Sequence, residues 1–287
     1  MFKICLYQLR QAFSSPRIYI ALLIGSVMQI ISCIPLFDFA KMQNQPLCIF
    51  EGFIYFNCDT YIASAAFLGI ILLVSDIPFS SQNETYILMR ISRKKWVYGK
   101  VIYLFLSCVL YYLVVFLVGA IFISENAYIG NVWSRPIYYL AKDSSSSLAV
   151  NYNVYFPYKH ILLGLSPFSA MTASFFLSVL YAFLMSLIIF LLNLNLSRPL
   201  SYGIAMLVHI IGYLLAALFS SYFYMKFSLL GNSLLMYHDI KGYYKGKLFT
   251  TIPQSIFIFI VLSIIILFLI LKSIKNYDFR TTAGAKR

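Results

Sequence analysis

The chain predicts an all-α integral membrane protein: six transmembrane helices, an amphipathic helix at the N-terminus, and a charged segment between the second and third spans. Three observations carry this. Hydrophobic residues make up 61% of the 287 and charged residues only 11%, whereas a soluble domain has about 25% charged residues. Long windows hold no Asp, Glu, Lys or Arg; they run Ile18–Phe37, Thr60–Ser75, Val101–Ser124, Ile161–Ser197, Pro199–Met225 and Leu248–Leu271. The basic residues are scattered between these windows instead of gathering on one soluble face.

The elements follow in order. In residues 1–15, Phe2, Leu6, Leu9 and Phe13 recur at helical spacing on one side, opposite Lys3, Gln8, Arg10 and Gln11. Such a helix lies in the membrane interface, an elbow that Ser15-Pro16 ends before a first span at 17–37. That span follows Lys3, Arg10 and Arg17, but it has full crossing length and no small-residue cleavage pattern after it. It therefore reads as a span and not as a signal peptide. The second span, 60–79, is the shortest. It must borrow Ile77–Phe79, or residues before Asp59, to reach the ~20 residues that cross hydrocarbon. The third span is 97–123. Ser166-Pro167, an N-cap followed by a first-turn proline, opens the fourth at 167, and it closes near 192. The fifth is 199–222 and the sixth 252–272. All belong to one transmembrane domain, 1–280, with a tail at 281–287.

Asp76–Lys100 is the polar exception. Ser81-x-x-Glu84 is a capping box, so a helix is expected from Gln82 to Ile91. Ser92 caps the next helix, whose first turn carries Arg93, Lys94, Lys95 and Trp96. Three cations there oppose the helix dipole, and lipid phosphates with aromatic anchoring offset that cost. Arg93, Lys94, Lys95 and Trp96 are accordingly read as interfacial anchors, as are Phe2, Leu6, Leu9 and Phe13 of the elbow.

Charge sets the expected orientation. With the N-terminus in the cytoplasm, cytoplasmic segments hold 14 of the 22 Lys and Arg, in keeping with the positive-inside rule. An even number of spans returns the C-terminus to the same side. Lys241, Lys245 and Lys247 run against the pattern. The net charge of +13 reads as attraction to anionic lipid, and nucleic acid is not an expected partner. Besides the loop between the first two spans, two loops lie outside, 124–166 and 223–251. The first is long and polar, with Ser144–Ser147 as a low-complexity patch. The second opens with the apolar stretch Phe227–Met236, too short to span and suited to a re-entrant or interfacial segment.

Several chemistries are missing. There is no GxxxxGK[ST] phosphate loop; Gly242–Leu248 comes nearest, with the wrong spacing and no Ser or Thr after its lysine. The chain is therefore not expected to hydrolyse nucleotide or to bind a cofactor or metal itself. HExxH and Gly-x-Ser-x-Gly are also absent. His160, His209 and His238 are far apart in sequence. His209, inside the fifth span, is a functional candidate by position, but with no acidic partner it reads first as hydrogen-bonded to a neighbouring backbone. Asp38, Asp59 and Asp76 fall at span ends, which weighs against ion-coupled transport. Cys48 and Cys58 share the first outer loop, so a disulfide and buried free thiols are both open.

The arrangement resembles the membrane permease subunits of bacterial ATP-binding-cassette (ABC) exporters of the type-2 class, including exporters of peptides, antibiotics and lantibiotics. The local likeness runs from Ser75-Asp76-Ile77-Pro78-Phe79 through Arg90-Ile91-Ser92-Arg93-Lys94-Lys95-Trp96. Ser166-Pro167-Phe168 and Leu192-Asn193-Leu194-Asn195, at the two ends of the fourth span, second it. The resemblance implies a plasma-membrane protein in which two permease subunits, alike or different, enclose a pathway for an amphipathic substrate. It also implies separate ABC ATPase subunits, which bind ATP and Mg and dock on a cytoplasmic coupling segment at 80–95. Gln82, Glu84, Tyr86, Ile87, Leu88 and Arg90 would make that contact. The loop 124–160 is longer than in shorter family members. The alternative is a polytopic protein that transports nothing: a sensor, an immunity protein or an assembly scaffold.

Overall fold

The computed structural model describes residues 2–75, 77, 91–143, 145–217, 226–244 and 250–276. Helix α1 is Phe2–Phe13 and α2 is Pro16–Met42. A two-residue strand, β1 (Leu47–Cys48), leads to α3 (Glu51–Asn57) and α4 (Thr60–Leu73). Helix α5 (Arg93–Ile123) is followed by β2 (Ala127–Tyr128), which pairs in parallel with β1. Three short helices come next, α6 (Arg135–Lys142), α7 (Ser147–Asn151) and α8 (Lys159–Gly164). The long helices α9 (Pro167–Asn195), α10 (Arg198–Ala217) and α11 (Ile252–Asn276) complete the described chain.

Five of these, α2, α5, α9, α10 and α11, are long and apolar enough to cross a membrane. Their large exposed side chains include Leu23, Ile31, Ile121, Phe176, Leu207, Ile264 and Phe268. That is ordinary for helices solvated by lipid, where exposed apolar surface costs nothing. The molecule is an all-α, membrane-embedded protein. One end of the bundle, where α2, α5 and α10 begin and α9 and α11 finish, carries Arg17, Arg93, Lys94, Lys95, Arg198, Lys272 and Lys275. It is called the basic end below, and the opposite one the loop end.

The second span corrects the sequence reading. A continuous helix over 60–79 is expected, yet α4 stops at Leu73 and spans about 21 Å at 1.5 Å per residue, short of a ~30 Å hydrocarbon core. Helix α3 meets α4 at 91°, and every residue of α3 is buried. Asp59 causes the break: its carboxylate accepts from the amides of Tyr61 (2.8 Å) and Ile62 (3.1 Å). An aspartate with extended backbone starts a new helix and does not continue an old one. Asn57 then ties the elbow to α9, donating to the Phe53 carbonyl and accepting from Ser178 Oγ at 2.7 Å. Glu51, 1% exposed, accepts from the amides of Cys48 and Ser134 at 2.9 and 2.7 Å, and so binds α3 to both flanking loops.

Ser15 and Ser92 stand at the N-cap positions of α2 and α5 without a side-chain cap bond, whereas Ser166 makes one. Ser166 accepts from the Ser169 amide, so α9 starts at Pro167 as expected; it runs on to Asn195, past the expected end at 192. Helix α11 starts at Ile252 as expected and extends to Asn276. Helix α5 starts at Arg93, ahead of the expected 97, because the charged turn is already helical. Helix α2 likewise runs past 37 to Met42, where Lys41 pairs with Glu125 at 3.1 Å, an exposed contact worth at most about 1 kcal/mol.

The five cysteines are all free and buried, so of the two readings open for Cys48 and Cys58 the structure has the free thiols; Cys48 Sγ sits 3.2 Å from the Gly130 carbonyl. The described part of the loop after α10, residues 226–244, is packed against the helices. Leu230, Leu234, Leu235 and Met236 are buried, and the segment folds back along α10 as far as Gly212, whose carbonyl accepts from Ser228 Oγ. Asn232 holds it shut, donating to the Lys226 and Ser228 carbonyls while accepting from Ser255 Oγ of α11.

Candidate functional site

At the basic end, the chain on either side of residues 78–90 is held by other helices. After α4, the amides of Ser75 and Ile77 turn back onto Leu72 and Val74. The carbonyl of Ser75 accepts from Tyr202 OH of α10 at 2.8 Å. The carbonyl of Ile77 accepts from Asn193 Nδ2 of α9 at 2.9 Å, and that amide also reaches Tyr202 OH at 3.3 Å. Arg17 of α2 approaches Ser75 Oγ at 3.4 Å.

The chain after residue 90 is fixed differently. The Arg93 guanidinium donates to the carbonyls of Ile274 (3.1 Å) and Lys275 (2.6 Å). It thereby satisfies orphan acceptors at the C-terminus of α11 with a cation, as the helix dipole favours. Asn195 accepts from Ser273 Oγ at 2.8 Å and closes α9 onto α11 beside it. Trp96 is fully buried with its ring edge-on to Phe190 at 6.0 Å. Lys100 is 1% exposed, its ammonium 5.7 Å from the Trp96 ring centre.

A displacement of residues 78–90 would thus pull on α2, α9 and α10 through one side and on α11 through the other. The tethers are main-chain carbonyls held by side chains of differing burial: Asn193 is buried, Tyr202 half-buried and Arg93 exposed. If Asn193 is replaced by leucine, hydrogen–deuterium exchange at the amides of Val74, Ser75 and Ile77 should rise about fivefold. That is the loss of one buried hydrogen bond, net about 1 kcal/mol. Unaltered exchange would mean that the chain there is held by something else.

The expected site residues divide as follows. Gln82, Glu84, Tyr86, Ile87, Leu88 and Arg90 lie outside the described residues. Arg93 caps α11, whereas Lys94 and Lys95 are exposed on the first turn of α5. Trp96 was expected at the lipid interface; it packs inside the protein, because Phe190 of α9 offers an aromatic partner that the sequence does not place beside it. In the elbow helix, Leu6 and Phe13 are exposed and Leu9 is half-buried, while Phe2 falls within α1. The side that packs against the protein is Cys5, Gln8 and Ala12, so α1 turns a more polar stripe to α5 and leaves Leu6 and Phe13 for lipid.

A second polar cluster lies midway along the bundle. His209 of α10 is 3% exposed. Its Nε2 is 2.8 Å from Ser64 Oγ of α4, and its Nδ1 is 2.6 Å from Tyr181 OH of α9. Phe67 stacks on the ring at 4.1 Å. Its partners are side chains of two other helices, not the neighbouring backbone that the sequence suggests. The imidazole is fully satisfied and clasps α4, α9 and α10 together.

Sequence reasoning missed Asn193, Tyr202, Lys100 and Glu51. Asn193 had a visible signal, since an amide near the end of an apolar helix needs a partner. Nothing in the pattern marked Tyr202 among 24 tyrosines.

The fold and this junction define a polytopic, all-α membrane protein. Comparison with protein-family models, characterised proteins and solved structures finds no match.

Proposed function

We propose that this chain is the membrane-spanning permease subunit of an ABC exporter. It would sit in a bacterial plasma membrane with its basic end and both termini in the cytoplasm. Counting the bent α3–α4 pair as one crossing makes six spans, the even number this orientation needs. Two such subunits would enclose a path for an amphipathic peptide, antibiotic or lipid. The energy would come from separate ATPase subunits that bind ATP and Mg and press on residues 80–95.

One observation carries the reading: the chain on both sides of residues 78–90, at Ser75, Ile77 and Arg93, is tied to the other long helices. Work against a gradient needs an energy source. The sequence holds no phosphate loop, and among the described residues no carboxylate is buried midway along a long apolar helix. Energy delivered from outside must enter through a contact that can move the spans, and residues 78–90, tethered on both sides, would be such a contact. The excess of basic residues at the same end supports placing it in the cytoplasm.

Charge reversal tests this. The full chain carrying Glu84→Lys and Arg90→Glu, expressed in its native membrane, should fold and insert. It should lose at least tenfold in export and no longer co-purify with an ATPase. Undiminished export by the double variant would overturn the reading, as would purification of the unaltered protein with no ATPase bound.

A further inference from the structure

We propose that the groove between α5, α9 and α11 is a binding site for one anionic phospholipid of the leaflet at the basic end. An acyl chain would lie in the groove and the phosphate on Lys94 and Lys275. The groove has a volume of about 220 Å³ and is lined by Val101, Phe105, Leu187, Ile260, Ile264 and Leu267 among others, with Ser263 its one polar lining residue.

The helical repeat joins groove to charge. Val101 and Phe105 are one turn apart on α5, and two turns back along the same stripe stands Lys94. On α11 the stripe through Ile264 reaches Lys275 eleven residues, three turns, later. Both lysines are exposed. They are brought to one corner because Arg93, next to Lys94, donates to the Lys275 carbonyl at 2.6 Å. No carboxylate pairs with either lysine among the described residues.

The depths agree with a lipid. Val101 and Phe105 lie about 10 and 16 Å along α5 from Lys94 at 1.5 Å per residue. One leaflet's hydrocarbon is about 15 Å deep, so an acyl chain hanging from a phosphate at the lysines passes through the groove. A phosphate there also meets the positive end of the α5 dipole, where three adjacent cations are otherwise unfavourable. Basic pockets between transmembrane helices bind anionic headgroups for this combination of reasons. The inference is independent of any transport role.

The test uses the full chain in nanodiscs of phosphatidylcholine doped with phosphatidylglycerol, with retained lipid counted by native mass spectrometry after release into detergent. The unaltered protein should keep one phosphatidylglycerol in preference to phosphatidylcholine. Lys94→Gln with Lys275→Gln should weaken that retention about thirtyfold, each lysine near the surface contributing about fivefold. Ile264→Trp should abolish it by filling the groove with both lysines intact. Lys142→Gln, at the loop end, should change nothing. Equal retention of the two lipids by the unaltered chain would overturn the proposal, as would unchanged retention in either the double lysine variant or Ile264→Trp.

Discussion

Lowering the pH from 7 to 4 will destabilise the folded chain by about 3 kcal/mol through His160 alone. This histidine belongs to α8, in the loop end outside the spans, and is 2% exposed. Its Nδ1 is 3.0 Å from Tyr244 OH, and the rings of Tyr158, Tyr243 and Tyr244 surround it. Burial pushes its pKa down to about 4; the Met236 carbonyl and the charge of Asp239 offset only part of that. Between the free value near 6.5 and the folded value, the unfolded chain takes up a proton that the folded chain refuses. The stabilisation is therefore complete above pH 6.5 and is lost as the pH falls to 4, at about 1.4 kcal/mol per pKa unit. Thermal unfolding in detergent at pH 7.5, 5.5 and 4 will show it. His160→Asn keeps an acceptor for Tyr244 without a titrating group, so its unfolding temperature should vary less with pH than that of the unaltered protein. Parallel profiles for the two proteins would rule the histidine out as the cause.

Adding one methyl group at Gly69 will cost about as much, at the upper end of the 1–3 kcal/mol typical of overpacking. Here α2, α4 and α5 cross with little space between them. A Cβ on Gly69 would lie 2.8 Å from the Ala21 carbonyl oxygen and 2.5 Å from Tyr111 OH. The carbonyl is backbone and cannot swing aside. Tyr111 is itself fixed, donating to the Ala66 carbonyl at 2.6 Å. Gly25, across the same contact, differs: its Cβ would meet only Tyr111 and Val115 side chains. Gly25→Ala should therefore be rescued by Tyr111→Leu combined with Val115→Ala, which clears both side chains, whereas Gly69→Ala should not be rescued by Tyr111→Leu. Thermal unfolding of the two combinations in detergent separates them, and equal rescue at both glycines would show that the backbone contact at Ala21 can relax.

Much of this was legible beforehand because hydrophobicity and helix caps are local. The starts of α9 and α11 and the existence of α2, α5 and α10 follow from charge-free windows and from Ser166-Pro167. The bend ahead of α4 was not legible, because Asp59 reads equally as the polar end of a span and as the cap of a new helix. The distinction rests on Asn57 and Ser178, 121 residues apart. The site was less legible. A charged segment between two spans shows in the pattern, but the side chains holding the chain on either side of it, Asn193, Tyr202 and Arg93, find main-chain acceptors more than a hundred residues away.

The amino-acid order by itself determined the solvent this chain requires and where it crosses that solvent, since transfer free energy is summed residue by residue along a helix. It also determined the charge asymmetry of the two ends. Only the tertiary structure decided that α3 meets α4 at 91°, that Trp96 faces protein and not lipid, and that the chain on both sides of residues 78–90 is bound to other helices. Those outcomes depend on close packing and on hydrogen bonds to particular carbonyl groups, and such partners are chosen by approach in space, which no window of sequence contains.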